Sequence, residues 1–169
     1  MTEENYARQR ATYRTTQESI ILAAKKMMGQ QGFRAINMIE LASEAEVSRA
    51  TLYNHFRDKE AIGYALLQYE LEGVLSFLGT PQDFLINFAT AISQSEVLNA
   101  LRQYDRELIP TIFMPNSDQL WVQVGESLKH RLGEKAPIAF IWLIGQALAP
   151  LSVESIKAQV GQMLESTLF

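Results

Sequence analysis

Residues 48–61, SRATLYNHFRDKEA, hold side chains whose types and spacing suit recognition of a polar, anionic surface. Arg49 and Tyr53 stand four apart, and so do Ala50 and Asn54, so on a helix each pair forms one row. Arginine can give two hydrogen bonds to guanine, and asparagine can do the same for adenine. Ala50 is small enough to allow close approach, down to contact with a thymine methyl. The Tyr53 and Thr51 hydroxyls and the Lys59 ammonium are donors of the kind that take phosphate oxygens. Lys59 falls in the first turn of the next helix, where free backbone N–H groups also favour an anion. Together these residues suit the major groove of a nucleic-acid duplex. Leu52 and Phe56 occupy a different row and can anchor the helix from behind. His55 has two open readings: a phosphate contact, or a half-buried structural histidine beside Phe56.

Such a face needs elements that hold it outward. Thr15-Thr16-Gln17-Glu18 reads as a capping box, followed by Ile20, Ala24 and Met27 at helical spacing and stopped by Gly32. Asn37 caps a second helix, about 38–45, with Met38, Leu41, Ala42 and Ala45 inward. Ser48 caps a third, about 49–54. The last two are separated by EAEV, the spacing of a helix-turn-helix. Asp58 caps a long helix over 59–78 carrying Ile62, Leu66, Tyr69 and Val74. Gly63 and Gly73 inside it each cost roughly 1 kcal/mol against alanine; they permit close packing or let the helix tilt. Ahead of the first helix, YARQRATYR carries Arg8, Arg10 and Arg14, an arm that follows a phosphate backbone, enters a minor groove, or is a disordered tail.

The rest of the chain also reads as helical. Thr80-Pro81-Gln82-Asp83 is a start signal for a helix over 81–93. Another is expected over 95–108, then a break at IPTIFMPNS. Ser117 opens a helix that stops at Gly133, Pro137 opens an apolar one that ends before Pro150, and Ser152 caps the last over 153–167. The expectation is an all-α chain of about nine helices.

Composition limits the alternatives. The chain has 169 residues, 47% hydrophobic and 20% charged, enough for a packed core without covalent staples. It has no cysteine, which excludes disulfides, thiolate metal sites and cysteine nucleophiles. No apolar run reaches the roughly 18 residues of a membrane span, and MTEENYARQR is too polar for a signal peptide. Net charge is −4, but residues 1–60 hold nine Lys/Arg against eight Asp/Glu, net +1, and residues 61–169 hold six against eleven, net −5. Such asymmetry points nucleic-acid contact to the first third. His55 and His130 lack a carboxylate or nucleophile at a telling spacing, and no H-E-x-x-H, phosphate-binding glycine loop or G-x-S-x-G occurs. No enzyme, metal or cofactor is expected.

The stretch GFRAINMIELASEAEVSRATLYNHFRDKEA resembles the DNA-binding domain of the tetracycline-repressor (TetR) family of bacterial regulators. The landmarks are Gly32-Phe33, Leu41-Ala42, Val47-Ser48, Thr51-Leu52-Tyr53, His55-Phe56 and Lys59-Glu60, and the likeness spans about residues 16–67. It implies a helix-turn-helix DNA-binding domain over 1–60, with the arm at 1–14, and a helical effector-binding and dimerisation domain over 61–169. It implies a cytoplasmic transcriptional regulator, a repressor that binds a palindromic double-stranded operator as a homodimer and is released by an apolar small-molecule effector. A regulator without an inducer, controlled by a partner protein or by abundance, is the alternative. DNA contacts would come from Asn37, Ser48, Arg49, Ala50, Thr51, Tyr53, Asn54, His55 and Lys59. Two departures stand out: Glu46 occupies the turn where the family usually has glycine, and Ile36-Asn37 replaces a threonine pair.

In the C-terminal part, APIAFIWLIGQALAPL resembles the family's penultimate helix, which pairs with the last one in a four-helix dimer bundle. Ile138, Ile141, Trp142, Gly145, Leu148 and Leu151 would be its contacts, with Gly145, Ala147 and Ala149 allowing close approach; the same helix also reads as monomer core. Candidates for an apolar ligand pocket are Phe77, Phe84, Phe88, Tyr104, Ile109, Phe113, Met114 and Trp121, each of which also reads as ordinary core. The chain is short for the family, which would mean a smaller pocket.

Overall fold

The computed structural model of the chain describes residues 3–113 and 119–165. Among these the secondary structure is helical, with no strand: α1 (Glu3–Gln31), α2 (Met38–Glu44), α3 (Arg49–His55), α4 (Lys59–Leu75), α5 (Pro81–Gln94), α6 (Glu96–Tyr104), α7 (Leu108–Phe113), α8 (Gln119–Leu132), a 3-10 turn (Gly133–Lys135), α9 (Ala136–Leu148) and α10 (Val153–Glu165). Packing divides the chain into two units between Tyr69 and Glu70, inside α4.

In the first unit, Ile20, Ala24, Met27 and Met28 of α1 are buried, as are Leu41 and Ala42 of α2, Leu52 of α3, and Ile62 and Leu66 of α4. Gly32 ends α1 at φ 82, a left-handed conformation that glycine adopts without a Cβ penalty. The beginning of α1 corrects the sequence expectation. No capping box forms at Thr15–Glu18, and residues 3–14 are helix rather than a separate arm. The Thr15 and Thr16 hydroxyls instead donate to the carbonyls of Ala11 and Thr12, each at 3.0 Å. A hydroxyl inside a helix makes this backward bond, whereas a cap needs extended backbone, so one residue type serves either state.

Gly63 has a packing reason. A Cβ added there would meet the Phe33 ring at 2.8 Å, closer than atoms can approach. At Gly73 an added Cβ would meet nothing within 4 Å, so packing does not account for it.

In the second unit, α5 opens on a complete capping box. The Thr80 hydroxyl accepts from the Asp83 N–H at 3.1 Å, and the Asp83 carboxylate accepts from the Thr80 N–H at 3.3 Å, with Pro81 at the first helical position. Helix α5 buries Phe84, Leu85, Phe88, Ala89 and Ile92, α6 buries Val97, Leu98, Ala100 and Leu101, and α10 buries Ile156 and Val160. Helix α6 stops at Tyr104, four residues short of expectation, because Asp105 leaves helical backbone at φ −136 and ψ 43. The expected break around Pro110 instead holds α7. Pro110 is the third residue of α7, within the first turn, where its missing N–H has no carbonyl to pair with in any case. Ser117, expected to open the next helix, lies outside the described residues.

Arg102, unremarked in the sequence, ties this unit together. Its Nε donates to the Ala147 carbonyl at 2.9 Å, and Nη2 donates to the carbonyls of Ile92 at 3.2 Å and Gln146 at 3.3 Å. Nη1 donates to Asn99 Oδ1 at 2.6 Å. The three carbonyls lie in the last turns of α5 and α9, the negative ends of those helices, where a cation is favoured. Burial lowers the Arg102 pKa from its ordinary value.

Candidate nucleic-acid interface

Helix α2 begins at Asn37, whose Oδ1 accepts the Ile39 N–H at 2.8 Å. It ends in a turn that the next residues must leave at a set angle. The Val47 N–H reaches back to the Ala42 carbonyl at 2.9 Å, and the Glu46 N–H to the Ser43 carbonyl at 3.1 Å. This pair of bonds is the Schellman arrangement, which needs a left-handed residue between them. Glu46 supplies it at φ 55, the one positive-φ non-glycine residue among those described.

Ser48 then starts α3 from extended backbone at φ −69 and ψ 153. Its hydroxyl accepts the Thr51 N–H at 3.0 Å and lies 2.7 Å from the Thr51 hydroxyl. Inside α3 the division between faces is sharp. Leu52 is fully buried and Phe56, just past the helix, is 5% exposed, whereas Arg49, Ala50, Tyr53 and Asn54 are all exposed. The two rows expected to read bases therefore share the open side, and the two anchors share the other. Phe56 turns extended at φ −137 and ends the helix.

Asp58 caps α4: its Oδ1 accepts the Ala61 N–H at 2.8 Å and its Oδ2 accepts from Arg57 Nε at 2.6 Å. These two bonds, the backbone one foremost, hold the Asp58 carboxyl below its usual range. Lys59 is positioned by the loop after α1. Its Nζ donates to the Arg34 carbonyl at 2.9 Å and stands 5.4 Å from the centre of the Phe33 ring. One of its three donors is thus engaged within the protein.

His55 is half-buried. Its ring lies 4.0 Å from that of Tyr13, tilted 30°, and 6.5 Å from that of Phe56. Its Nδ1 is buried without a hydrogen-bond partner among the described residues, and burial lowers its pKa, which favours the neutral imidazole. Tyr13 was not singled out in the sequence. The signal was present, because Tyr6, Tyr13 and Ile20 recur at seven-residue spacing on one side of α1.

In the second unit, Ile138, Ile141, Gly145 and Leu148 are all exposed on α9. Their spacing of three, four and three makes them one stripe. An added Cβ at Gly145 would meet nothing within 4 Å in the single chain. Trp142 lies beside the stripe, half-buried, and its Nε1 donates to Gln159 Oε1 at 2.7 Å; Leu151 is also half-buried. Of the pocket candidates, Phe84, Phe88 and Ile109 are buried. Phe84 and Phe88 meet edge to face at 5.8 Å, and the Arg131 guanidinium stands 4.3 Å over the Phe84 ring. Phe77 and Trp121 are half-buried, with Trp121 edge-on to Phe140 at 5.8 Å, and Tyr104 is exposed. The Phe113 side chain and Met114 lie outside the described residues. Among the described residues no group of His, Asp and Glu is arranged to hold a metal, and no helix is long and apolar enough to cross a membrane.

Known proteins resemble this arrangement. Residues 20–65 match the family described as bacterial regulatory proteins, tetR family. The Transposon Tn10 TetC protein of Escherichia coli is 23% identical over 108 residues, 63% of this chain and 55% of that protein. The HTH-type transcriptional repressor NemR of Escherichia coli is 35% identical over 57 residues, 34% of this chain and 29% of that protein. The matches thus span about half or less of these relatives' lengths. Among solved structures, a transcriptional regulator (TerR/AcrR family) from Aquifex aeolicus superposes with a TM-score of 0.57 at 16% identity, covering 89% of this chain and 98% of that one. A TetR-family regulator from Mesorhizobium loti gives 0.58 at 16%, covering 90% and 95%. At these identities the structural likeness concerns the fold.

Proposed function

Because this chain belongs to the tetR family of bacterial regulatory proteins, we propose that it binds a palindromic double-stranded operator as a homodimer and represses transcription until a small-molecule effector releases it. The observation that carries this reading is the two-sided α3. Arg49, Ala50, Tyr53 and Asn54 face solvent together, while Leu52 and Phe56 lock the opposite side into the core. A short helix anchored this way presents its open face as a rigid surface, which base readout requires. Ser48, Thr51, Asn37 and Lys59 lie at helix starts, where side chains and backbone N–H groups suit phosphate oxygens. His55 joins them at the end of α3 as a phosphate contact. Two copies would place two such helices in successive major grooves, about one helical turn of DNA apart.

Dimerisation through α9 is supported by its exposed stripe, above all by Ile141 at 70% exposure. An effector would act by binding one state of the dimer better than the other, and its effect is bounded by that difference in affinity. The alternative, a regulator controlled by a partner or by abundance, draws support from the closed packing of Phe84 and Phe88, which commits two of the pocket candidates to the core.

The test is footprinting and gel shift on the DNA upstream of the chain's own gene. Arg49→Ala is expected to cost about 1–3 kcal/mol on the operator and to relax base preference at one position in each half-site. Purified protein that shifts no fragment of that DNA at low salt refutes the reading.

A further inference from the structure

Helix α1 is 29 residues long, yet its buried residues begin only at Ile20. Every side chain described from residue 5 to residue 14 is exposed. The first half of α1 is therefore a solvated extension without a hydrophobic face pressed on the core. A helix exposed all round needs something beyond its own propensity to hold it. One contact stands out: the Tyr13 ring stacked on the His55 imidazole at 4.0 Å. His55 is the last residue of α3, so this stack fastens the extension to the end of the helix bearing Arg49, Tyr53 and Asn54.

The extension is basic. Between residues 3 and 14 it carries Arg8, Arg10 and Arg14 against Glu3 and Glu4. The arginines do not share one face. Arg10 lies three residues before Tyr13 and Arg14 one after it, so the two stand on the same side of Tyr13, about 60° and 100° round the helix from it. Arg8, five before Tyr13, falls on the far side, because five steps of about 100° rotate it more than 120° away.

From this placement we infer that the N-terminal half of α1 is a second DNA-contacting surface, on which Arg10 and Arg14 take backbone phosphates beside the groove that α3 enters, with the Tyr13–His55 stack as the fastening. The inference rests on the DNA-binding reading above. The occupant is a phosphate backbone because the face is cationic and is continuous through His55 with the reading helix. Tyr13 acts here as a positioning residue through its stack on His55, while Arg10 and Arg14 make the added contacts.

The experiment measures binding of the full chain to a mixed-sequence duplex as a function of salt, because phosphate contacts do not depend on sequence. Each lost contact lowers the slope of log K against log salt by about 0.9, so Arg10→Gln/Arg14→Gln is expected to lower it by roughly 1.8 per chain. Arg8→Gln removes the same charge from the far side and is expected to leave the slope nearly unchanged. Tyr13→Ala removes no charge, yet is expected to lower the slope because the extension loses its fastening; circular dichroism confirms that the variant is folded. If Arg8→Gln lowers the slope as much as Arg10→Gln does, bulk charge is responsible and the inference is overturned. It is also overturned if the double variant keeps the wild-type slope, or if Tyr13→Ala changes only the oligomeric state, which would make the face a contact between copies of this chain. In those cases the wild-type protein still binds duplex and the DNA-binding reading stands. Wild-type protein that binds no duplex at low salt overturns both.

Discussion

Replacing Glu46 with glycine tests the turn that sets the angle between α2 and α3. Glu46 sits at φ 55, where a residue with a Cβ costs roughly 1–2 kcal/mol relative to the right-handed region. Glycine removes that strain but has a more flexible unfolded chain, a penalty of roughly 0.5–1 kcal/mol. The Glu46 side chain is exposed, so little packing is lost. The net expectation is a gain of about 0.5–1 kcal/mol, which for a chain of this size raises the melting temperature by about 1–4 °C. The charge has its own effect. A carboxylate on the order of 10 Å from a phosphate repels it by about 0.4 kcal/mol in water, so Glu46→Gly should also tighten duplex binding about twofold at low salt. Glu46→Ala separates the two effects, since it removes the charge but leaves a Cβ at positive φ. Thermal melts followed by circular dichroism, with binding measured by fluorescence anisotropy, should show both variants binding more tightly and only the glycine variant melting higher. A glycine variant that melts no higher than the alanine variant would falsify the claim that backbone strain is stored at this turn.

Three further outcomes follow from the packing. Gly63→Ala should lower the melting temperature, because its Cβ would press on the Phe33 ring at 2.8 Å, whereas Gly73→Ala, with nothing within 4 Å, should raise stability by roughly 0.8–1 kcal/mol. Equal shifts in the two melts would contradict the packing account of Gly63. Ile141→Asp should weaken the dimer at least tenfold, since covering an isoleucine is worth about 1.5–3 kcal/mol and a twofold interface contains two copies; sedimentation velocity reads this, and an unchanged dimer would remove α9 from the interface. Stability should also fall with pH through His55. Burial depresses its folded pKa, so below the ordinary histidine value of about 6.5 the unfolded chain binds a proton that the folded chain does not. The loss should begin near pH 6.5 and level off below the folded pKa, and His55→Gln should flatten denaturation midpoints across that range.

What was legible in the sequence was whatever depends on residues within about four positions. The caps at Asn37, Ser48, Asp58, Thr80 and Ser152 all form, because each needs only a backbone N–H two or three residues ahead. The two faces of α3 were legible for the same reason, as helical periodicity alone separates Leu52 and Phe56 from Arg49, Ala50, Tyr53 and Asn54. The turn at Glu46 was legible through the family resemblance, which puts glycine where this chain has Glu46, and the structure shows that residue at φ 55. Local reading failed where one local signal serves two structures. Thr15 and Thr16 carry the same hydroxyl whether they cap a helix or sit within one, and only the persistence of helix upstream separates the cases. Pro110 breaks a helix in its interior but is tolerated in its first turn, and where that turn begins depends on Asp105 ending α6.

The sequence by itself determined the helices, most of their ends, and the two faces of α3 with the anchors Leu52 and Phe56, since all of these arise from hydrogen bonds and periodicity over one or two turns. Only the tertiary structure decided which distant groups meet. Arg102 finds the carbonyls of Gln146 and Ala147 44 and 45 residues away. Tyr13 finds His55, Phe33 closes on Gly63, and Lys59 reaches the Arg34 carbonyl 25 residues back. No local pattern encodes such pairs. They exist because buried apolar faces bring helices together, and the polar groups carried along must then find partners in whatever surroundings the packing supplies.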